Sequence, residues 1–191
     1  EAEFVYETQH FPDLEYTFKH ALTHDVTYAG LLGDRRLWLH AQIVTALERL
    51  YADRLSEYVE RIAQHALRGQ LWDKAVHYGR QAGLRALGRS APREALTAFE
   101  QARIALRELP DSRERTEQLI DLSLEQRDCH FRLGELKRLG EVLSEAQALA
   151  EGLDDRRRLV PVLVYQISFL SFLAEHEQAI VTAQRACALA E

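Results

Sequence analysis

The amino-acid sequence predicts an all-α fold: a stack of antiparallel helix pairs wound into a superhelix, preceded by a short N-terminal β-hairpin. Three observations carry this. Four segments repeat a step of two residues seven positions apart, Ala75 to Ala82, Ala95 to Ala102, Leu139 to Ala146 and Ala179 to Ala186. Seven residues is almost two helical turns, so both positions share one face, and small side chains there admit a neighbouring helix closely. The second, third and fourth steps begin 44 and 40 residues apart, the period of stacked helix pairs. From Ala21 onward apolar residues keep helical spacing between short turns, whereas Leu14 to His20 alternates apolar and polar in the manner of a strand.

In chain order, Phe4 to Thr8 and Leu14 to His20 are the strands, and the second places Leu14, Tyr16 and Phe18 on one face. His10-Phe11-Pro12-Asp13 supplies turn chemistry between them. A lone hairpin is marginally stable in water, so this one needs the following helices or a further domain to lie on. Helices are expected over 21–32, 34–52, 54–69, 71–88, 91–108, 113–133, 135–151, 156–174 and 176–190. Their punctuation is Gly33-Asp34, Gly69, Gly88 to Ser90 with Pro92 in a first turn, Pro110-Asp111-Ser112, Gly134, and Gly152 to Asp155. Loops this short make consecutive helices pack antiparallel. In the helix from Ala91, residues Ala95, Ala98, Phe99, Ala102, Leu106 and Leu109 form an apolar stripe, while Arg93, Glu94, Glu100, Arg103, Arg107 and Glu108 are left for water. The last helix presents Ala179, Ile180, Ala183, Ala186 and Leu189 without a polar cap, which predicts that the array continues beyond residue 191.

Composition narrows the function classes. The chain has 191 residues, 47% hydrophobic and 28% charged, with a net charge of −6. That is ordinary for a globular protein and argues against phosphate-tracking binding to nucleic acid or an anionic membrane. Leu159 to Ala174 is the most membrane-like window, but it is short of the roughly 20 apolar residues a span needs and contains Pro161, Gln166, Ser168 and Ser171. It is expected to be a helix buried between neighbours. Cys129 and Cys187 lack any CxxC partner, which suits reduced thiols in the cytoplasm. The sequence contains no methionine and begins at Glu1, so a piece of a longer polypeptide is expected.

Candidate chemistry is sparse. His20 and His24, four apart beside Asp25, could face one metal ion, but no further ligand set accompanies them and no metal site is assigned. His40, His65, His77, His130 and His176 are scattered singly. Cys129 and His130, being adjacent, point about 100° apart on a helix and cannot act as nucleophile and base. Gly79 and Gly83 lie inside a helical segment without the context of a phosphate loop, so close helix packing accounts for them. Arg35-Arg36 and Arg156-Arg157-Arg158 read as solvated faces, Trp72 as a seam residue, and the many carboxylates as exposed, with no acid/base couple. No catalytic residue is assigned.

Two resemblances extend this reading. Ala75 to Leu109, with Trp72, Ala75 and Ala82 and then Ala95, Phe99 and Ala102 at packing positions, looks like tetratricopeptide repeats, which implies a right-handed superhelix. The spacings exceed that family's period of about 34 residues, and Leu139 and Ala183 stand where small or aromatic residues are expected. Tyr16 to Glu48 is similar to the junction between winged-helix and repeat domains in STAND-type signalling ATPases, through Phe18-Lys19-His20-Ala21-Leu22, Tyr28, Leu31-Leu32, Arg35-Arg36, Leu39-His40 and Ala46-Leu47-Glu48. The wording most resembles bacterial proteins that join a class III adenylate/guanylate cyclase, an AAA-type ATPase and C-terminal repeats. This resemblance implies that 1–52 is the end of a winged-helix-like module (hairpin 3–20 plus helices) and 53–191 a repeat array. It implies a non-catalytic interaction or sensor segment, with ATP or ADP held elsewhere in the parent protein and His20 contacting bound ADP only in the full-length chain. A protein, peptide or small effector in the repeat groove and the neighbouring ATPase domain are the implied partners, without nucleic acid or membrane. The repeat segment of a STAND-type DNA-binding transcriptional activator is the alternative, and a free-standing enzyme is a third.

Overall fold

A computed structural model describes residues 5–9 and 15–190. β1 (Val5–Gln9) and β2 (Glu15–Phe18) form an antiparallel two-stranded ribbon, with Val5 opposite Phe18 and an irregularity between Glu7 and Gln9. The expected turn His10 to Asp13, together with Phe4 and Leu14, lies outside the described residues. Tyr16, which the strand pattern assigns to an apolar face, is 65% exposed. No strand follows Phe18 among the described residues.

The rest is helical: α1 (Ala21–Ala29), α2 (Gly33–Leu50), α3 (Val59–Arg68), α4 (Trp72–Gly88), α5 (Pro92–Glu108), α6 (Arg113–Leu133), α7 (Leu136–Gly152), α8 (Arg156–Phe172) and α9 (His176–Ala190). α1, expected to reach residue 32, ends at Ala29, and the largest difference is at α3. The helix expected from residue 54 starts at Val59, because Ala52–Glu57 forms a 3-10 turn interrupted at Arg54, whose φ is −136°. The rings of Tyr51 and Tyr58 stack 3.9 Å apart across this turn, with Arg54 over Tyr51 at 5.1 Å. Stacking the two ends of the segment on each other bends the chain where a continuous helix would hold them apart.

From α2 onward each helix packs on the next, and α3 with α5, α4 with α6 and α6 with α8 also touch. One core runs from Val44 and Leu47 on α2 to Leu122 and Cys129 on α6, and a second joins Ile120 on α6 to Ala146, Val162 and Ala186 on α7 to α9. All eight residues of the four small-residue steps are buried, as are Phe99 and Leu106. Arg103, expected in water, turns instead into the α5/α6/α7 seam, where it bonds Ser123 Oγ at 3.3 Å and pairs with Glu145.

The turns disclose a finer period than the helix pair. Gln70, Ser90, Gly134, Asp154 and Ala174 all have left-handed backbone, with φ of 54°, 59°, 71°, 51° and 61°. In each case the next residue donates its backbone N–H five residues back, as Leu71 to Ala66 and Ala91 to Ala86 at 2.9 Å. Glu135 to His130, Asp155 to Ala150 and Glu175 to Leu170 repeat the bond at 2.9–3.0 Å. The carbonyl of that same residue then accepts the first bond of the following helix, from Ala75, Ala95, Leu139, Leu159 and Ala179 respectively. This is helix termination by the six-to-one bond, used as a hinge-free corner. The first residue of each small-residue step therefore sits five positions beyond a left-handed corner. Leu159 belongs to the series, and α8 escapes the sequence pattern because Gln166 occupies the second position of its step. The unit is one helix plus one corner. The 44-residue interval arises because α6 has 21 residues where α4, α5, α7 and α8 have 17 each.

An L side chain in the left-handed region costs roughly 1–2 kcal/mol that glycine avoids. Ala174→Gly, at an exposed corner, is therefore expected to stabilise the α8–α9 end by about 1 kcal/mol after the extra unfolded-state entropy of glycine. Slower amide exchange in α9 measures it, and faster exchange would contradict the assignment of strain to this corner.

Candidate functional site

The helix packing leaves open grooves at the surface. One apolar groove lies between α6, α7 and α8, with a volume of about 310 Å³. Its floor is the buried pair Leu139 and Leu143, and its rim is aromatic. Phe131 and Phe172 meet edge to face at 5.7 Å and are 52% and 60% exposed. Phe169 lies over Gly140, whose missing β-carbon would come 3.1 Å from the ring. At the other end Arg127 lies 3.5 Å above the Tyr165 ring and pairs with Asp128. Tyr165, Phe169 and Phe172 are spaced four and three apart, so one face of α8 presents all three. That aromatic stripe was readable in the sequence but is hidden inside the window expected to be wholly buried. In fact only Leu159, Val162 and Leu163 of that helix are buried, while Val164 and Phe172 are exposed.

A second groove of about 360 Å³, between α5, α6 and α7, is polar. Arg103, Arg107 and Arg138 are balanced there by Glu100, Glu141 and Glu145, so no net charge selects a ligand. His130, at its edge, is buried and hydrogen-bonded through Nδ1 to Glu135 at 2.8 Å. The neighbouring Cys129 thiol is pushed up to about 11 by burial, with Asp128 adding to it, which leaves it an inert core side chain.

Ion pairs that sequence reading places in water link α4 to α6 and α6 to α8. Arg80 on α4 holds Glu125 on α6 at 2.7 Å, and Arg158 on α8 holds Asp121 at 3.0 Å, Glu117 at 3.3 Å and Asp155 at 2.8 Å. Burial raises the Glu125 carboxyl above the ordinary carboxylate range, against the Arg80 bond, and its Oε2 is buried without a partner. Arg158 is thus no part of a solvated basic cluster, whereas Arg156 and Arg157 are exposed.

His20 caps the start of α1 in extended backbone, between β2 and α1, with its carbonyl accepting from Thr23 N at 3.0 Å and its side chain exposed. The side chain of His24 lies outside the described residues. Among the described residues no three His, Cys, Asp or Glu side chains are grouped as for a metal ion. Two of the histidines that sequence scatters singly are in contact: His40 and His65 face each other through Nδ1 at 2.8 Å, and His40 Nε2 meets the Tyr28 hydroxyl at 2.9 Å. About two turns further along α2, Glu48 accepts from Lys74 at 2.6 Å and from the Tyr78 hydroxyl at 2.9 Å, tying α2 to α4. Tyr28, His40 and Glu48 are all residues of the junction-like motif, and here they hold α1, α2, α3 and α4 together. Trp38, by contrast, is 49% exposed with Arg35 over its ring at 4.3 Å. No helix among the described residues is long and apolar enough to cross a membrane. In comparison with known proteins, no family model, no curated protein and no solved structure matches this chain.

Proposed function

We propose that this chain is a non-catalytic interaction and sensor segment of a multidomain cytoplasmic signalling protein, a cyclase-linked ATPase of the kind its junction motif resembles. In this reading residues 53–191 form a tetratricopeptide-like right-handed superhelix and residues 1–52 the end of a winged-helix-like module. The observation that carries it is the aromatic-rimmed cleft between α6, α7 and α8, open at the surface and backed by fixed helices. Clefts of about 300 Å³ and above accept a bound group, and an apolar wall ended by the paired Arg127 and Asp128 suits an apolar side chain on a partner peptide better than a reacting substrate. A peptide seated there changes how the array docks on the neighbouring ATPase domain and so shifts it between two states. ATP or ADP belongs to that domain, and His20 reaches its ADP only in the full-length chain.

Two measurements test this. Deleting everything after Glu48 from the full-length protein is expected to uncouple nucleotide-dependent cyclase output from its regulation, and unchanged regulation would refute the reading. Phe172→Glu, at a half-exposed rim position, is expected to weaken capture of the partner peptide at least tenfold, since a charge cannot enter an apolar wall without about 2 kcal/mol or more of cost, while amide exchange in α4–α6 stays as in the native chain.

A further inference from the structure

Among the described residues, a polar node fastens α1 to the array. On α1, Leu22 and Val26 are 73% and 64% exposed. The contact with α2 and α3 comes at Tyr28, whose hydroxyl bonds His40 Nε2 at 2.9 Å while Arg36 lies over the ring at 5.5 Å. His40 is 5% exposed and carries the connection on to α3 through His65 Nδ1 at 2.8 Å. Gly69 permits this closeness, because a β-carbon there would come 3.0 Å from Ala41 N and 3.2 Å from His40 Cβ.

Two imidazole nitrogens at 2.8 Å share one hydrogen. One donates and the other accepts, so the pair is compatible with two neutral rings or with a single added proton, but two imidazolium rings would set N–H against N–H. We propose that Tyr28, His40 and His65 form a proton-operated latch: with the histidines neutral it clamps the hairpin–α1 unit to α2 and α3, and protonation of the pair opens that joint and frees the unit to reorient.

The surrounding charges favour such a device. Arg68 and Arg61 on α3 face the pair, Arg36 on α2 faces Tyr28, and exposed Asp25 stands one turn before Tyr28 on α1. Burial, then Arg68, lowers His40 below 6.5, and burial, then His40 and the two arginines, lowers His65 to about 4. The arginines also disfavour a metal cation between the rings. The sign follows from these directions. Freed histidines regain the ordinary value near 6.5, so the open state binds more protons between about pH 4 and 6.5. The latch is therefore intact above pH 6.5 and weakens as pH falls through that window.

The test is amide exchange of residues 15–30 in this chain at pH 7.5 and pH 5.0, corrected for the intrinsic pH dependence of exchange. Exchange in α1 is expected to rise at least tenfold at pH 5.0 while α4–α6 stays unchanged. His65→Asn, whose neutral amide can still accept from His40 Nδ1, is expected to hold α1 protected at both pH values. Tyr28→Phe leaves the histidine pair whole and is expected to leave α1 unprotected at both. A pH response that survives unaltered in His65→Asn, or protection of native α1 that is the same at both pH values, would overturn the latch. Equal loosening of α4–α6 would make the response global unfolding and overturn it as well.

Discussion

Gly83→Ala is expected to destabilise the α4–α5 contact by about 2 kcal/mol, although alanine is the better helix former by about 1 kcal/mol. A β-carbon at Gly83 would sit 2.3 Å from Cε1 and 2.5 Å from Cδ1 of Phe99. That ring is fully buried in the main core and cannot swing away into solvent. Overpacking a fixed ring costs up to about 3 kcal/mol, which outweighs the gain in propensity. Phe99→Ala is expected to cost about 3–5 kcal/mol as a cavity in the same place. The combination separates the two effects. In Gly83→Ala with Phe99→Ala the new β-carbon enters the vacated space, so the double variant should be no less stable than Phe99→Ala alone, a coupling of about 2 kcal/mol. Local amide exchange in α4 and α5 is the suitable measure, because a repeat array need not unfold in one step. Strict additivity of the two substitutions would mean that helix and ring do not meet as described. Phe99→Leu, which keeps most of the volume, guards against loss of the fold.

That contact shows what is legible in the sequence. Gly79 and Gly83 in a helical segment announce close packing because glycine there is otherwise costly, and Ala102 and Phe99 are indeed what they approach. The small-residue steps announce the seam for the same reason. The corners are harder to read. Four of the five left-handed positions carry Gln, Ser, Asp and Ala, so Gly69, Gly88 and Gly152 announce a helix end one or two residues early and only Gly134 marks the left-handed position itself, and the twenty-residue unit stays hidden behind the pair period. The grooves and nodes are harder still. His40 and His65 are 25 residues apart, and nothing in either's neighbours says that the turn at Ala52–Glu57, with Gly69 leaving room beside His40, will bring them to 2.8 Å. Tyr165, Phe169 and Phe172 carry a helical rhythm, but rhythm alone does not separate a core stripe from the rim of a cleft. That difference depends on how far α6 and α8 stand apart, which local sequence does not encode.

Arg158→Met is expected to cost roughly 2 kcal/mol at pH 7, between the value of an exposed pair and that of a buried one. Methionine keeps the aliphatic stem, so the loss reports the guanidinium, whose side chain is 26% exposed and bonds Asp121, Glu117 and Asp155 across α6 and the start of α8. Removing it leaves three carboxylates facing one another. Asp155 supplies the signature in pH. Its carboxyl is held below the ordinary 3.8 chiefly by the hydrogen bond from Arg158, against burial. A depressed carboxyl contributes stability that is present above its unfolded value and lost as pH falls through its folded one. The gap between native chain and variant should therefore be level from pH 7 to about 5 and close below about 4 as the carboxyls protonate. Salt acts in the same direction, since 1 M NaCl shortens screening to about 3 Å and weakens what remains exposed of the network. Arg157→Met, next door and exposed, should change stability by no more than about 0.5 kcal/mol. A gap that persists undiminished at pH 3 would show that Arg158 holds α6 and α8 together through its stem and not through its charge.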